Sequence, residues 1–135
     1  MIWSFRDYVE QGGGNPISDW IDKQPLKVRL KIDIRLLYLR GEKVWPEAYI
    51  SALKGHPYIF ELRIVFGGTQ YRLLGCHGPG LRVFTLLLGT IEKGKIPSHV
   101  IATAEARRLV VLADRSRSIE HVFRYTKRAT DESPQ

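Results

Sequence analysis

Apolar and polar residues alternate most plainly through FELRIVFGGTQYRLL, residues 60–74. Phe60, Leu62, Ile64 and Phe66 share one parity and Glu61 and Arg63 the other, the period of a half-buried strand. Gly67-Gly68 tolerate the positive φ of a tight hairpin turn, so residues 59–66 and 69–76 are expected to pair. A two-residue turn sets Phe66 opposite Thr69, Ile64 opposite Tyr71 and Leu62 opposite Leu73, apolar against apolar. A third strand, 81–88, follows Gly78-Pro79-Gly80; LRVFTLLL is almost wholly apolar, as in a strand covered on both faces. Residues 89–97, GTIEKGKIP, read as a loop.

Helical spacing flanks this meander. Residues 2–8 read as a short strand, and Gly12-Gly13-Gly14 as a flexible break. Asn15 suits an N-cap and Pro16 the first helical position; Ile17, Trp20 and Ile21 then fall on one face, and Pro25 closes the helix. Ser98 can cap a helix to about Ala113, with Val100, Ile101, Ala104, Val111 and Leu112 on one side. Residues 27–36, KVRLKIDIRL, fit two periods. Val28, Leu30, Ile32, Ile34 and Leu36 alternate like a strand, yet Val28, Ile32, Leu36 and Leu39 also form a helical stripe ending at Gly41. The lack of a turn residue between Leu26 and Arg40 favours the helix. The resulting class is α+β: a small antiparallel sheet, two N-terminal helices packed on one face, a C-terminal helix and a short C-terminal extension.

Composition narrows this picture. One domain is expected at 135 residues, and no apolar run approaches the roughly 20 residues of a membrane helix. MIWSFRDYVEQ lacks a signal-peptide layout, and the single Cys76 excludes an internal disulfide, so a reducing cytoplasm is the expected location. The net charge is +7, of which residues 1–113 supply +6 (16 Lys+Arg against 10 Asp+Glu). A basic body points to a polyanionic partner, nucleic acid or an acidic protein. The four histidines show no paired metal-ligand spacing, and the glycines lack GxGxxG or GxxxxGK order.

The hairpin register also sets Arg63 opposite Arg72, which destabilises a strand pair unless something neutralises the charges. Two readings stand. Both side chains reach water, or Glu61 pairs diagonally with one; alternatively the face receives an anion, two guanidiniums forming a phosphate clamp. Lys93 and Lys95, leaving the neighbouring strand, would then bring two ammonium groups toward the same sheet.

In order and spacing, GNPISDWID, LRGEK, LKG at 53–55, FELR at 60–63, YRLL at 71–74 and KIP at 95–97 carry a family resemblance. From about residue 5 to 113 the chain resembles the RelE/HigB superfamily of type II toxin–antitoxin toxins, in its phage-derived branch. The resemblance implies a RelE-like domain over 1–113, a helix over 27–40, and an extension over 114–135, partly helical or disordered. It implies an mRNA interferase that cuts mRNA, usually on the ribosome, by 2′-hydroxyl attack on the adjacent phosphate, with no cofactor. Arg63, Arg72, Lys93 and Lys95 match its catalytic face and basic loop. Lys54 is expected to contact RNA, with His56, Tyr71, His77 and Arg82 as further RNA-binding candidates. Implied partners are a cognate helix-turn-helix antitoxin, mRNA and the 70S ribosome, and no membrane.

The chain departs from the branch in LLLGTIEKGK, one residue shorter than usual, where Leu88, Thr90 and Glu92 replace a histidine and a Lys-Lys pair. A general acid or base is thereby missing from its usual place, and His56 or His77 are the candidate substitutes. A catalytically inert module of the same fold, binding nucleic acid or a protein, is the alternative. Beyond residue 113, Ile119, Val122, Phe123 and Thr126 have helical spacing, with Arg124, Lys127 and Arg128 around them.

Overall fold

A computed structural model describes residues 1–126. The elements run β1 (Ser4–Tyr8), α1 (Pro16–Asp22), α2 (Leu26–Arg40), β2 (Ile50–Leu53), β3 (His56–Phe66), β4 (Thr69–His77), β5 (Val83–Ile91), α3 (Ser98–Ala113), a 3-10 turn (Arg115–Arg117) and β6 (Ser118–Glu120). Among the described residues the sheet has six strands in the order β2-β3-β4-β5-β1-β6. Every pairing is antiparallel except β1 with β5, which is parallel, so the α+β class holds while the sheet is mixed rather than purely antiparallel.

The hairpin forms in the expected register, with Phe66 opposite Thr69, Ile64 opposite Tyr71, Leu62 opposite Leu73 and Arg63 opposite Arg72. Gly67 and Gly68 both take positive φ, 59° and 78°, the pair of left-handed residues that a twisted two-residue hairpin turn requires. The third strand is shifted from expectation. Leu81 lies in the turn, 91% exposed, while β5 continues through Gly89 to Ile91. Gly89 holds that extension against α1: a Cβ there would sit 2.1 Å from the Trp20 indole. Phe84 to Leu88 are buried, as a strand covered on both faces demands.

Residues 26–40 are one helix. Val28, Ile32, Leu36 and Leu39 are fully buried, so the 3.6-residue period wins over the alternation. Asn15 caps α1 as expected: its Oδ1 accepts from Ser18 N at 2.9 Å, while its Nδ2 donates to Asp7 at 3.0 Å and ties the helix start to β1. Ser98 is not a cap. It is the first residue of α3, Pro97 precedes it, and no side chain caps that end.

The core joins Phe5, Ile17, Ile21, Val28, Ile32 and Leu36 to the apolar parity of β3 and β4 and to β5. Ala104 and Val111 of α3 complete the same cluster. Two elements escaped the sequence reading. β2 pairs with β3, and β6 pairs with β1 at Arg6↔Glu120, Asp7↔Ile119 and Tyr8↔Ser118. Residues 118–120 are therefore strand rather than helix, because β1 presents an edge whose backbone groups need partners. The roles considered for Lys127 and Arg128 fall outside the described residues.

Candidate functional site

Strand alternation puts Glu61, Arg63 and Arg72 on the sheet face opposite Phe60, Leu62 and Ile64. Thr90 of β5 faces Arg72. The like charges of Arg63 and Arg72 do not meet unscreened, because Glu61 stands between them. Its Oε1 lies 3.1 Å from Arg72 Nε and its Oε2 lies 3.7 Å from Arg63 Nη1. One carboxylate thus serves two guanidiniums, and the triad keeps a formal surplus of one positive charge.

Each arginine is also anchored by neutral acceptors. Arg72 Nη1 donates to Gly94 O at 2.6 Å and Nη2 to Gln70 Oε1 at 2.5 Å. Its Nε contact with Glu61 is an ion pair without hydrogen-bond alignment. Arg63 Nη1 donates to Ser51 Oγ at 3.0 Å and Nη2 to Glu47 O at 2.5 Å. The Arg72 side chain is 10% exposed and that of Arg63 28%, so Arg63 is the more accessible of the two. Gly94 sits between Lys93 and Lys95, both exposed, so the basic loop is fastened over Arg72 by its own backbone. Thr90 Oγ1 donates to Glu92 Oε1 at 3.1 Å where β5 leaves the sheet.

The candidate residues separate into two groups. Arg63 and Arg72 meet through Glu61 at one end of the sheet, and Lys93 and Lys95 flank Gly94, whose carbonyl accepts from Arg72. Lys54 lies exposed in the β2–β3 turn, His56 opens β3, His77 ends β4 and Arg82 lies exposed in the β4–β5 connection. From His56 to Arg63 is about seven strand residues, roughly 23 Å at ~3.3 Å each. His56 Nδ1 lies 3.5 Å from Glu105 of α3, and His77 stacks on Trp45 with ring centroids 5.7 Å apart. Burial against these rings pushes the His77 pKa below its ordinary value. Tyr71 is 8% exposed and belongs to the core, because its parity is that of Leu73 and not of Arg72. Burial likewise pushes the Cys76 thiol up to about 12, so it stays protonated.

A second ionic cluster was not anticipated. His121 Nδ1 lies 2.8 Å from Asp7 Oδ1 of β1, and its Nε2 lies 3.9 Å from Asp33 Oδ1 of α2. All three are buried. Asp33 Oδ2 also accepts from the backbone N–H of Tyr125 at 3.0 Å. Burial alone would lower the imidazole pKa, but the carboxylates of Asp33 and Asp7 outweigh it and raise it to about 9. A cleft of about 190 Å³ opens beside this cluster, lined among others by Ser18, Ile21 and Arg124. It is remote in the fold from the arginine pair, which lies on β3 and β4.

Residues 19–109 match the family described as phage derived protein Gp49-like (DUF891). The chain belongs to that family. No curated protein matches it. The Gp49-like family belongs to the RelE/HigB-like toxin superfamily and is associated with toxins of toxin–antitoxin systems. The Gp49-like match takes in Glu61, Arg63, Arg72, Lys93 and Lys95, and also Asp33. It excludes Asp7 and His121.

Proposed function

We propose that this Gp49-like chain is the toxin of a type II toxin–antitoxin pair and acts as an endoribonuclease on mRNA, on the ribosome, in the cytoplasm. The observation that carries this reading is the Arg63–Glu61–Arg72 cluster, two opposed guanidiniums sharing one carboxylate beside the Lys93–Lys95 loop. The reaction is attack of a ribose 2′-oxygen on the adjacent phosphorus. The P–O5′ bond breaks, leaving a 2′,3′-cyclic phosphate and a 5′-hydroxyl. Negative charge gathers on the non-bridging oxygens, and preorganised cations lower that barrier. Arg63 is the first contact for the phosphate, being the more exposed. Arg72 engages when the substrate oxygen takes the place of the Gly94 carbonyl on Nη1, and Lys93 and Lys95 hold the flanking backbone. Glu61, paired with both guanidiniums, takes up the 2′-hydroxyl proton, and the departing 5′-oxygen takes a proton from water and leaves as the 5′-hydroxyl.

Induced expression of wild-type chain and of Arg72→Ala tests this. Growth arrest with mRNA fragments ending in 2′,3′-cyclic phosphate is expected from the wild type. In Arg72→Ala the cleavage rate should fall on the order of 10²–10³. Arrest unchanged by Arg72→Ala would overturn the assignment. The alternative is an inert module of the same fold that binds nucleic acid or protein. It is favoured by the donors of both arginines being occupied by Glu47, Ser51, Gln70 and Gly94, and by His56, His77 and His121 each being engaged elsewhere. Soluble wild-type protein that causes no arrest and cleaves no mRNA would select it.

A further inference from the structure

Helix α2 is apolar on two sides. One row, Val28, Ile32, Leu36 and Leu39, is buried in the core. A second row, Leu26, Leu30, Ile34 and Tyr38, runs at four-residue spacing, and Leu30 and Ile34 lie about 160–200° round the helix from Ile32. Most of that row points outward: Leu26 is 56% exposed, Ile34 58% and Tyr38 46%, with Leu30 half-buried between them. Isolated surface hydrophobics are ordinary, but an aligned row on a rigid helix is the surface that a helix-in-groove partner reads.

The flank of this row is basic. Lys27, Lys31 and Arg35 form the adjoining row, with Lys27 and Lys31 exposed. Asp33, the single acid within α2, is buried against His121 and Tyr125. The rim is already ordered. The Arg35 guanidinium lies 3.7 Å from the Tyr49 ring centroid and donates to Arg63 O at 3.0 Å, and Tyr49 meets Tyr38 edge-on at 6.0 Å. Preorganised side chains lose little entropy on binding.

We propose that the outward row of α2 docks an acidic amphipathic helix of a protein partner. Its apolar residues would interdigitate with Leu26, Leu30, Ile34 and Tyr38, ridge into groove, and its acidic flank would face Lys27 and Lys31. A second copy of the chain fits poorly, because a two-fold contact through α2 sets basic rows against each other. RNA fits poorly too, since Leu26, Leu30 and Ile34 are aliphatic and the one ring of the row, Tyr38, already meets Tyr49 edge-on. Residues 127–135 supply only Ala129 and Pro134 as apolar side chains, too few to match the row. The inference extends the partner side of the proposed toxin and does not depend on RNA cleavage.

The test uses the full chain and a labelled synthetic helical peptide with leucines four residues apart and glutamates on both flanks. A shuffled peptide of identical composition is the control, and binding is read by fluorescence anisotropy. The patterned peptide should bind at least about tenfold tighter than the shuffled one. Ile34→Glu should weaken it roughly tenfold or more, and Ile34→Ser less, both with unchanged circular dichroism because the site is exposed. Lys27→Gln with Lys31→Gln should weaken binding and flatten its salt dependence. Equal binding of the two peptides, or indifference to Ile34→Glu, overturns the proposal. So does self-association of the wild type that Ile34→Glu abolishes, which would assign the row to a second copy. Displacement of the peptide by a short oligoribonucleotide would assign it to nucleic acid. Because Ile34 lies outside the arginine cluster, Ile34→Glu should retain mRNA cleavage, so failure of docking and failure of the nuclease reading register separately.

Discussion

Two ionic clusters among the described residues are mirror images in charge. At one end of the sheet, two guanidiniums share one carboxylate; under the C-terminal segment, two carboxylates share one imidazole. Their surroundings differ more than their charges do. Arg63, Arg72 and Glu61 keep part of their side chains in reach of solvent, and a loop that bears two lysines lies over them. Asp7, Asp33 and His121 are 2%, 1% and 5% exposed. Ions that deep hold structure through their mutual partners, Asp7 through the imidazole and Asp33 through the Tyr125 N–H, whereas a partly open surplus of positive charge can take up an anion. The first cluster accordingly suits the site proposed above, and the second fastens residues 118–126 to β1 and α2.

Removing the central group of each cluster should break the symmetry. His121→Ala leaves two buried aspartates facing each other, a loss of about 3–5 kcal/mol in unfolding free energy. Denaturant melts would read it as a lowered midpoint, and a loss below about 1 kcal/mol would mean that His121 does not fasten the segment. The same cluster sets a pH window. A folded-state pKa of about 9 against ~6.5 for free histidine means stability fully present below pH ~6.5, declining as pH rises through about 9. The decline amounts to roughly 3 kcal/mol and should vanish in His121→Ala. An imidazole that titrates near pH 6.5 in the folded protein, by NMR, would contradict the paired arrangement.

Glu61→Gln probes the other cluster and should cost less, about 1–2 kcal/mol, since both arginines retain neutral acceptors. Its larger signature lies in binding. With one more unpaired positive charge, the affinity for single-stranded RNA should rise at low salt and its slope against log salt steepen by about 0.7. An unchanged slope would mean that the surplus charge does not face the nucleic acid.

The unequal legibility of these two clusters has a physical origin. The arginine pair could be read because strand parity and a Gly-Gly turn fix a register within one hairpin, and β3 and β4 carry it out. Glu61 shares that parity, yet its service to both arginines depends on rotamers that alternation does not specify. The acceptors on Glu47 and Gly94 are backbone carbonyls, which no side-chain pattern can announce. Helix α2 looked like a strand because its buried and outward apolar rows, two positions out of phase, together mimic a period of two. His121 was unreadable for a different reason: its partner Asp7 is 114 residues away and meets it only after β6 closes on β1. Asp33, a lone acid in an apolar and basic helix, was the one local sign of it.

The smallest expected effect lies at the rim of the buried cluster and decides what fastens the segment. Arg124 and Tyr125 both donate to Asp22 Oδ1, with the side chains of Arg124 and Asp22 44% and 39% exposed. Partial burial pushes the Asp22 carboxyl up, but hydrogen bonds from Tyr125 and Arg124 together outweigh it and hold it below its ordinary value. Solvent screens such a pair, so Arg124→Ala should cost under about 1 kcal/mol, and the cost should shrink further in high salt. The His121 titration should stay where it is, because Asp7 and Asp33 are untouched. If Arg124→Ala instead destabilised the chain as much as His121→Ala, the rim pair and not the imidazole would hold residues 118–126 in place, and the division between an open cationic site and a closed anionic clasp would fail.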